Sequence, residues 1–419
     1  MLKLHIENIL VREEKIMAEW ISKKLGEITL FITKGIPPKY VEEENQNTVR
    51  VLNQKCNRNF EISYDESRIH NAEIKKVPED KLLRCGDVLI NSTGTGTAGR
   101  VAQLFNVSVP TTIDGHMILL RPTEEINSIY YGYAIKSQQK KIESLAEGST
   151  GQTEINRQRL KDEIIITFPK EKMLQKAIGT LLLQIDEKIK NNKQINNNLE
   201  QQAMAIFNNA IEQSKSVTYV ELGSLADVKG GKRLPKGSNL MSIPNSHPYI
   251  RVRDLNDVVF ASLSANYEYV DDETQKTISR YITTTDDVLI SIVGTIGLTA
   301  IVDKSLNMAN LTENCVKVTN LHGISPEYLL LYLRSQHGSE EIKKGTVGAV
   351  QAKLPIKNIQ VLSVPLLPQS DLQSLNDTLK VLFNQLSINV AESKCLTDIR
   401  DSLLPKLMSG ELDVSNVDF

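Results

Sequence analysis

The chain has 419 residues, 40% hydrophobic and 24% charged, with 49 basic and 51 acidic side chains and a formal net charge of −2. That length suits two or three domains, and no run of eighteen apolar residues or charged-then-apolar leader is present, so a soluble, cytoplasmic protein that touches no membrane is expected. Cys56, Cys85, Cys315 and Cys395 lack C-x-x-C spacing and no histidines cluster with them, which excludes a disulfide framework and a zinc site, while the near-neutral charge requires any nucleic-acid site to gather its cations locally.

Residues 1–16 mix charged and apolar side chains without a period and read as a possible extension; Met17-Ala-Glu-Trp20 looks like the start of a domain. From Trp20 to Pro169, short apolar runs such as Asp87-Val-Leu-Ile90 and His116-Met-Ile-Leu-Leu120 alternate with Gly, Pro, Asn and Asp. This is the pattern of strands and turns, with one helix near Ile129 to Leu145. His116, inside an apolar run, reads as packed rather than catalytic.

A long helix is expected next, from Leu174 to Ile211. Ile178, Ile185, Asn192, Leu199 and Ile206 recur at intervals of seven, and Leu375, Leu382, Asn389, Leu396 and Leu403 repeat the pattern between Leu372 and Leu404. Seven-residue spacing keeps one stripe turned toward a partner, and the obvious partner of each stripe is the other. Asn192 and Asn389 occupy the same rung, where they either meet and fix the register or lie at a frayed part of the seam.

Residues 217–365 repeat the first plan. Asp287-Val-Leu-Ile290 with Gly294-Thr295 follows Asp87-Val-Leu-Ile90 with Gly94-Thr95 at an interval of 200; Leu222-Gly223 follows Leu25-Gly26, and Gly345-Thr-Val-Gly348 follows Gly148-Ser-Thr-Gly151, at 197. The expected organisation is an α+β chain with a domain over 1–169, a helix over 170–214, a second domain over 215–365, a second helix over 366–410 and a tail over 411–419. Antiparallel pairing of the helices as a coiled coil would relate the two mixed α/β domains by an approximate two-fold. Thirty-eight residues of helix span roughly 57 Å, more than the separation of DNA half-sites one turn apart.

Catalytic readings find little support. Gly94-Thr-Gly-Thr-Ala-Gly99 resembles a nucleotide loop only superficially and reads better as a turn after a strand, no phosphate-binding G-x-x-x-x-G-K-[ST] is present, and Pro78-Glu-Asp-Lys81 has no counterpart in the second half. Cations recur at corresponding turns instead. Val228-Lys-Gly-Gly-Lys-Arg-Leu-Pro-Lys236 supplies Lys229, Lys232, Arg233 and Lys236 with two glycines and no acid, so its backbone could approach a phosphate. Thr33-Lys-Gly-Ile-Pro-Pro-Lys39, with Lys34 and Lys39, is a thinner relative, and Arg50 follows it. In Tyr249-Ile-Arg-Val-Arg-Asp254, a strand would send Arg251 and Arg253 to one face, either to grip guanine O6 and N7 or to pair with Asp254 or a neighbour. Arg157, Arg159 and Lys161 follow one Gly-x-x-Gly turn; Lys343, Lys344 and Lys353 flank the other; Thr95 and Thr295 close the candidate DNA-binding set. Residues 216–365 hold 15 basic and 15 acidic side chains, so one such domain alone should bind duplex weakly.

The order of these motifs, occurring twice and closed by Leu403-Leu-Pro-Lys-Leu-Met-Ser-Gly410, resembles the specificity subunit of type I restriction–modification enzymes from Trp20 to Gly410. The resemblance implies two target-recognition domains that each read one part of a bipartite site on double-stranded DNA. It also implies that methylation subunits, two in number, dock on the long helices, and that restriction subunits can join them. S-adenosylmethionine, ATP and magnesium would then sit on those partners, with no cofactor and no metal in this chain, which also lacks an Asn-Pro-Pro-Phe or Asp-Pro-Pro-Tyr methylase motif. The chain would be non-catalytic. A stand-alone DNA methyltransferase or nuclease, or a coiled-coil adaptor that does not bind DNA, are the alternatives.

Overall fold

Residues 87–90 and 287–290 fold alike and set the plan of the two halves. The computed structural model describes residues 19–148, 153–264, 267–348 and 351–412. The possible extension at 1–16 and most of the turn Gly148 to Gly151 fall outside these, as do residues 413–419 of the tail.

Contacts divide the chain into two compact units, one of residues 1–190 with 393–419, the other of residues 191–392. In the first unit, strand Val88–Asn91 is wholly buried. A strand sends alternate side chains to opposite faces, and here both faces are dry: Val88 and Ile90 enter a core shared with helices, while Leu89 enters a smaller core with Leu52, Ile113 and Leu119. Strand Val288–Ser291 of the second unit divides in the same way, Val288 and Ile290 to one core and Leu289 to the other. The four-residue motif is therefore the partition between two cores.

Each strand sits in a sheet of the same order. The first unit arranges Thr29–Lys34, Met117–Pro122, Val88–Asn91 and Val101–Gln103, all antiparallel. The second arranges Asp227–Gly230, Cys315–Thr319, Val288–Ser291 and Thr299–Val302, also antiparallel, and adds Phe260–Ala261 parallel at the edge. A second sheet in each unit contains a parallel pair, Thr48–Leu52 with Thr111–Ile113 and Pro248–Ile250 with Asn310–Leu311. The expected helix near Ile129 is two helices, Ser128–Ser137, capped by the Asn127 side chain, and Gln139–Ser144. Their counterparts are Pro326–Arg334, capped by Ser325, and Gln336–Gly345.

The long helices span Lys172–Gln213 and Gln369–Ser409. In the first unit Leu174, Ile178 and Leu182 of one pack in the same core as Leu404, Leu407 and Met408 of the other. In the second unit Ala203 and Phe207 share a core with Leu372, Leu375, Leu379, Phe383 and Leu386, with Leu199 and Leu382 at its margin. The helices run antiparallel, as Asn192 with Glu392 and Asn196 with Asn389 show. Ile185 and Leu396 are buried and Leu403 is partly so.

One detail differs from expectation. Ile206 is 37% exposed and Phe207 is buried in its place. A straight helix drifts by roughly 20° per heptad against a seven-residue stripe, and by this point the steps run Leu199, Ala203, Phe207, because the helix packs against a domain core as well as against its partner helix. Asn192 and Asn389 are both buried in the seam, where Asn192 Nδ2 donates to Glu392 Oε2 at 2.7 Å and Asn389 Nδ2 donates to Asn196 Oδ1 at 2.8 Å. The antiparallel register puts the two asparagines about one turn out of step.

The closing motif ends the second helix. Gly410 takes φ +76°, and a Cβ there would lie 2.7 Å from the Trp20 indole. Only glycine combines a left-handed stop with that close approach.

Candidate nucleic-acid interface

The segment from Lys229 to Lys236 leaves the main sheet of the second unit at a forced crossing. The Gly231 N–H donates to the Cys315 carbonyl at 3.0 Å and the Lys232 N–H to the Leu311 carbonyl at 2.8 Å. A Cβ on Gly231 would lie 2.0 Å from the Thr312 carbonyl oxygen. In the first unit Gly35 stands at the same crossing, where a Cβ would lie 2.0 Å from the Ile113 oxygen and the Ile36 N–H donates to that carbonyl at 2.9 Å. These glycines serve close packing of backbone on backbone, and their amides are committed to the fold rather than open to a phosphate.

The cations beyond the crossing differ in availability. Lys229 is paired with Asp227 at 2.9 Å, and Arg233, 80% exposed, donates from Nε to Glu313 Oε1 at 2.7 Å. Burial alone would raise the Glu313 carboxyl, but the Arg233 hydrogen bond and charge, its own backbone N–H and the Thr312 hydroxyl together outweigh it and hold the group below its ordinary range. Lys232 lies 5.5 Å from the centroid of the Tyr281 ring, a distance at which an ammonium is attracted by the ring face. Lys236 is exposed. A stretch with no acid of its own thus acquires two carboxylates from its surroundings.

Arg251 and Arg253 do not share a strand. Strand Pro248–Ile250 stops before them, and residues Val252–Leu255 form a 3-10 turn with Arg251 as its cap, its N–H donating to Asp254 Oδ2 at 2.8 Å. Burial raises the Asp254 carboxyl above its usual range. The turn nonetheless brings both guanidinium groups to one oxygen, Glu268 Oε2, on strand Glu268–Tyr269; the Arg253 contact is 2.8 Å. Between this pair and Arg233 lies a cleft of about 360 Å³, also lined by Tyr249, Glu313 and Asn314. The Tyr249 hydroxyl donates to the Lys232 carbonyl at 3.0 Å.

The first unit is less cationic at the matching place. Gly115 and His116 precede strand Met117–Pro122 as Glu313 and Asn314 precede Cys315–Thr319. His116 is exposed rather than packed, with Nδ1 3.0 Å from Thr93 Oγ1, because Asp114-Gly115 turns the chain just ahead of it. Lys34 is paired with Glu154, Arg50 with Glu44 at 2.6 Å, and Arg159 with Glu147 and Glu163. Lys39 is exposed, and its backbone N–H donates to His70 Nδ1 at 2.8 Å.

Elsewhere, Thr95 and Thr295 lie in turns after the central strands, as the glycine pattern indicated; Gly94 and Gly294 have φ of +106° and +79°, and Ser291 Oγ donates to the Thr295 carbonyl at 2.6 Å. Arg157 opens helix Arg157–Glu163 and is exposed, as is Lys161's neighbour Asp162. Lys343 and Lys344 end helix Gln336–Gly345, the latter 3.4 Å from Glu341, and the backbone of Lys353 pairs with Val347 in both directions.

Sequence reasoning missed two groups of buried charge. Asp87 accepts two hydrogen bonds from Arg121, at 2.8 and 2.7 Å, and in the repeat Asp287 lies 3.2 Å from Lys317 Nζ. In the first unit Asp186 of the first long helix accepts from Arg400 Nη1 at 2.6 Å and from the Tyr133 hydroxyl at 2.7 Å, with Lys136 Nζ at 3.8 Å. Burial lowers the Lys136 ammonium to about 8, against the pull of Asp186. The one available signal was the recurrence of Asp87 at Asp287.

Among the described residues, no three His, Cys, Asp or Glu side chains gather as metal ligands, all four cysteines are free, and no helix is long and apolar enough to cross a membrane. The profile of the type I restriction modification DNA specificity domain matches twice, over residues 17–201 and 214–396. The type I restriction enzyme MjaIX specificity subunit of Methanocaldococcus jannaschii is 24% identical over 428 residues, which cover 96% of each chain. The crystal structure of a type I restriction-modification S subunit from M. genitalium superposes with a TM-score of 0.57 at 19% identity, covering 95% of this chain and 98% of that one, and so shares its fold.

Proposed function

The chain belongs to the type I restriction-modification DNA specificity family, and from this we propose that its two units each read one part of a bipartite site on double-stranded DNA. The observation that carries the reading is the duplication of one sheet plan with different side chains at matching loops. The Arg233, Arg251 and Arg253 cleft stands in one unit, and His116, Thr93 and Gly115 stand in the other. Equal scaffolds with unequal loops suit two unequal sequences, since base edges are read by side chains and the frame only positions them. Of the candidate DNA-binding residues, Arg233, Arg251 and Arg253 line one cleft; the turn of Lys232, Arg233 and Lys236 suits phosphate, while Arg251 and Arg253 suit base edges.

In this reading the chain works in the cytoplasm and carries no catalysis. It confers sequence choice on methylation subunits, two per chain, docked along the long helices, and S-adenosylmethionine, ATP and magnesium belong to those partners and to any restriction subunit. The test is to map methylated adenines in the source genome with and without this gene. A methylated motif in two parts should vanish with the gene, and the purified chain given S-adenosylmethionine should methylate nothing. Methylation by the isolated chain would instead support a stand-alone methyltransferase.

A further inference from the structure

We infer that Glu268 is a competing counter-ion that holds Arg251 and Arg253 until an acceptor offers more than a single oxygen, and that it thereby sets the selectivity of the second unit's cleft. The inference rests on the DNA reading above.

The geometry is specific. Both guanidinium groups converge on one atom, Glu268 Oε2. The strand pairing fixes this, since Glu268 lies directly across from Tyr249, and the 3-10 turn that follows Ile250 swings residues 251 and 253 back toward it. The carboxylate is the less accessible partner, 24% exposed against 40% and 50% for the arginines. Asp254 holds the turn itself through the Arg251 N–H, so the arrangement does not depend on DNA.

A guanidinium carries five N–H donors in a planar fork, and it binds most strongly when two of them meet two acceptors. Sharing one carboxylate oxygen leaves each arginine short of that. Guanine presents O6 and N7 together and offers each arginine a full pair. A lone phosphate oxygen offers no more than Glu268 already supplies, while drawing the arginines away would leave a half-buried carboxylate uncompensated. The same cost faces every acceptor, and only one that offers each arginine a full pair repays it, so single-acceptor contacts leave the arginines on Glu268.

The experiment measures binding of the full-length chain to a random-sequence duplex pool and to the best duplex selected from that pool, over a range of salt. Glu268→Gln keeps the size and removes the charge. It should bind the random pool roughly 2- to 30-fold more tightly, the effect of freeing two partly exposed ion pairs. Its salt slope should steepen by about one to two units. The slope on the selected duplex should stay as it is, since its bases engage the arginines already, so the two slopes draw together. Glu268→Asp, which keeps the charge, should retain the wild-type difference in slope, and Glu268→Gln should have no effect when Arg251 and Arg253 are both alanine. An unchanged random-pool slope in a folded Glu268→Gln chain would overturn the inference. So would an equal effect in the double-alanine background, or loss of the fold in Glu268→Gln alone, which would make the pairing structural. A wild-type chain from which no preferred duplex can be selected would overturn the DNA reading itself.

Discussion

Replacing Asp186 by leucine should loosen the first unit by about 3 kcal/mol. Asp186 accepts hydrogen bonds from Arg400 and Tyr133, and it faces Lys136. The side chains of Arg400 and Lys136 are 15% and 14% exposed. Removing one partner of such a buried pair typically costs about 3–5 kcal/mol, because the remaining charge keeps its desolvation penalty and loses its compensation. Arg400 retains Asp401, at 2.8 Å but on an exposed side chain, which places the expected cost at the lower end. Removing both charges, as Asp186→Leu with Arg400→Leu, should cost less than Asp186→Leu alone, since only Lys136 is then left without its carboxylate. Trp20 is the single tryptophan and packs, partly buried, against this unit's core, so its fluorescence reports the unit directly. With a urea slope of about 2–3 kcal/mol/M, the midpoint should fall by about 1 M or slightly more. A shift of under about 0.2 M, or a double variant less stable than the single one, would refute the reasoning.

Lys136 gives a pH signature to the same cluster. The unfolded chain keeps that proton up to the ordinary value of 10.5 and the folded chain only to about 8, so the unfolded state binds more protons in between and stability should rise with pH across that window. Lys136→Met should flatten the rise and stabilise the unit at neutral pH by up to about 3 kcal/mol, read from Trp20 unfolding at both ends of the window. Gly231→Ala should cost several kcal/mol in thermal or urea unfolding because its Cβ meets a backbone carbonyl, whereas Gly237→Ala, at φ +92° with nothing within 4 Å, should cost about 1 kcal/mol from backbone strain alone. Equal costs would return Gly231 to a role in ligand approach. Replacing Lys232, Arg233 and Lys236 together by alanine should weaken binding to all duplexes alike and flatten the salt slope by between about two and three units, at 0.9 per lost contact, the lower figure applying if Glu313 keeps Arg233 from phosphate. A changed sequence preference at unchanged slope would count against it.

The duplication and the helix seam were legible because both are written in local spacing. Val88-Leu-Ile and Val288-Leu-Ile read as buried strands, and the heptad positions are buried at Ile178, Ile185, Leu375 and Leu396 and partly buried at Leu199, Leu382 and Leu403. Ile206 failed where a domain core joins the seam and draws in Phe207. Asp254 beside Arg253, 3.7 Å away, was a legible partner because it is local, but most partners of charges were not, since Glu313 reaches Arg233 and Arg121 reaches Asp87 only through strands that pair across long intervals of sequence. Arg251 and Arg253 were placed on a strand although Asp254, Asn256 and Asp257 follow closely, residues that favour turns by bonding their own backbone.

The first unit is assembled from both ends of the chain, residues 1–190 and 393–419, while the second is continuous. During synthesis the first unit is begun first and completed last. Until Leu404, Leu407 and Met408 emerge, the apolar stripe of Leu174, Ile178 and Leu182 lacks a wall of its core, and Gly410 has not yet closed on Trp20. The second unit has no such debt and can finish on the ribosome before its predecessor. A transcript truncated ahead of residue 393 should therefore yield a sound second unit attached to a sticky, protease-sensitive first one. An exchange of recognition sequences between genes should tolerate a transplanted middle segment better than a transplanted front.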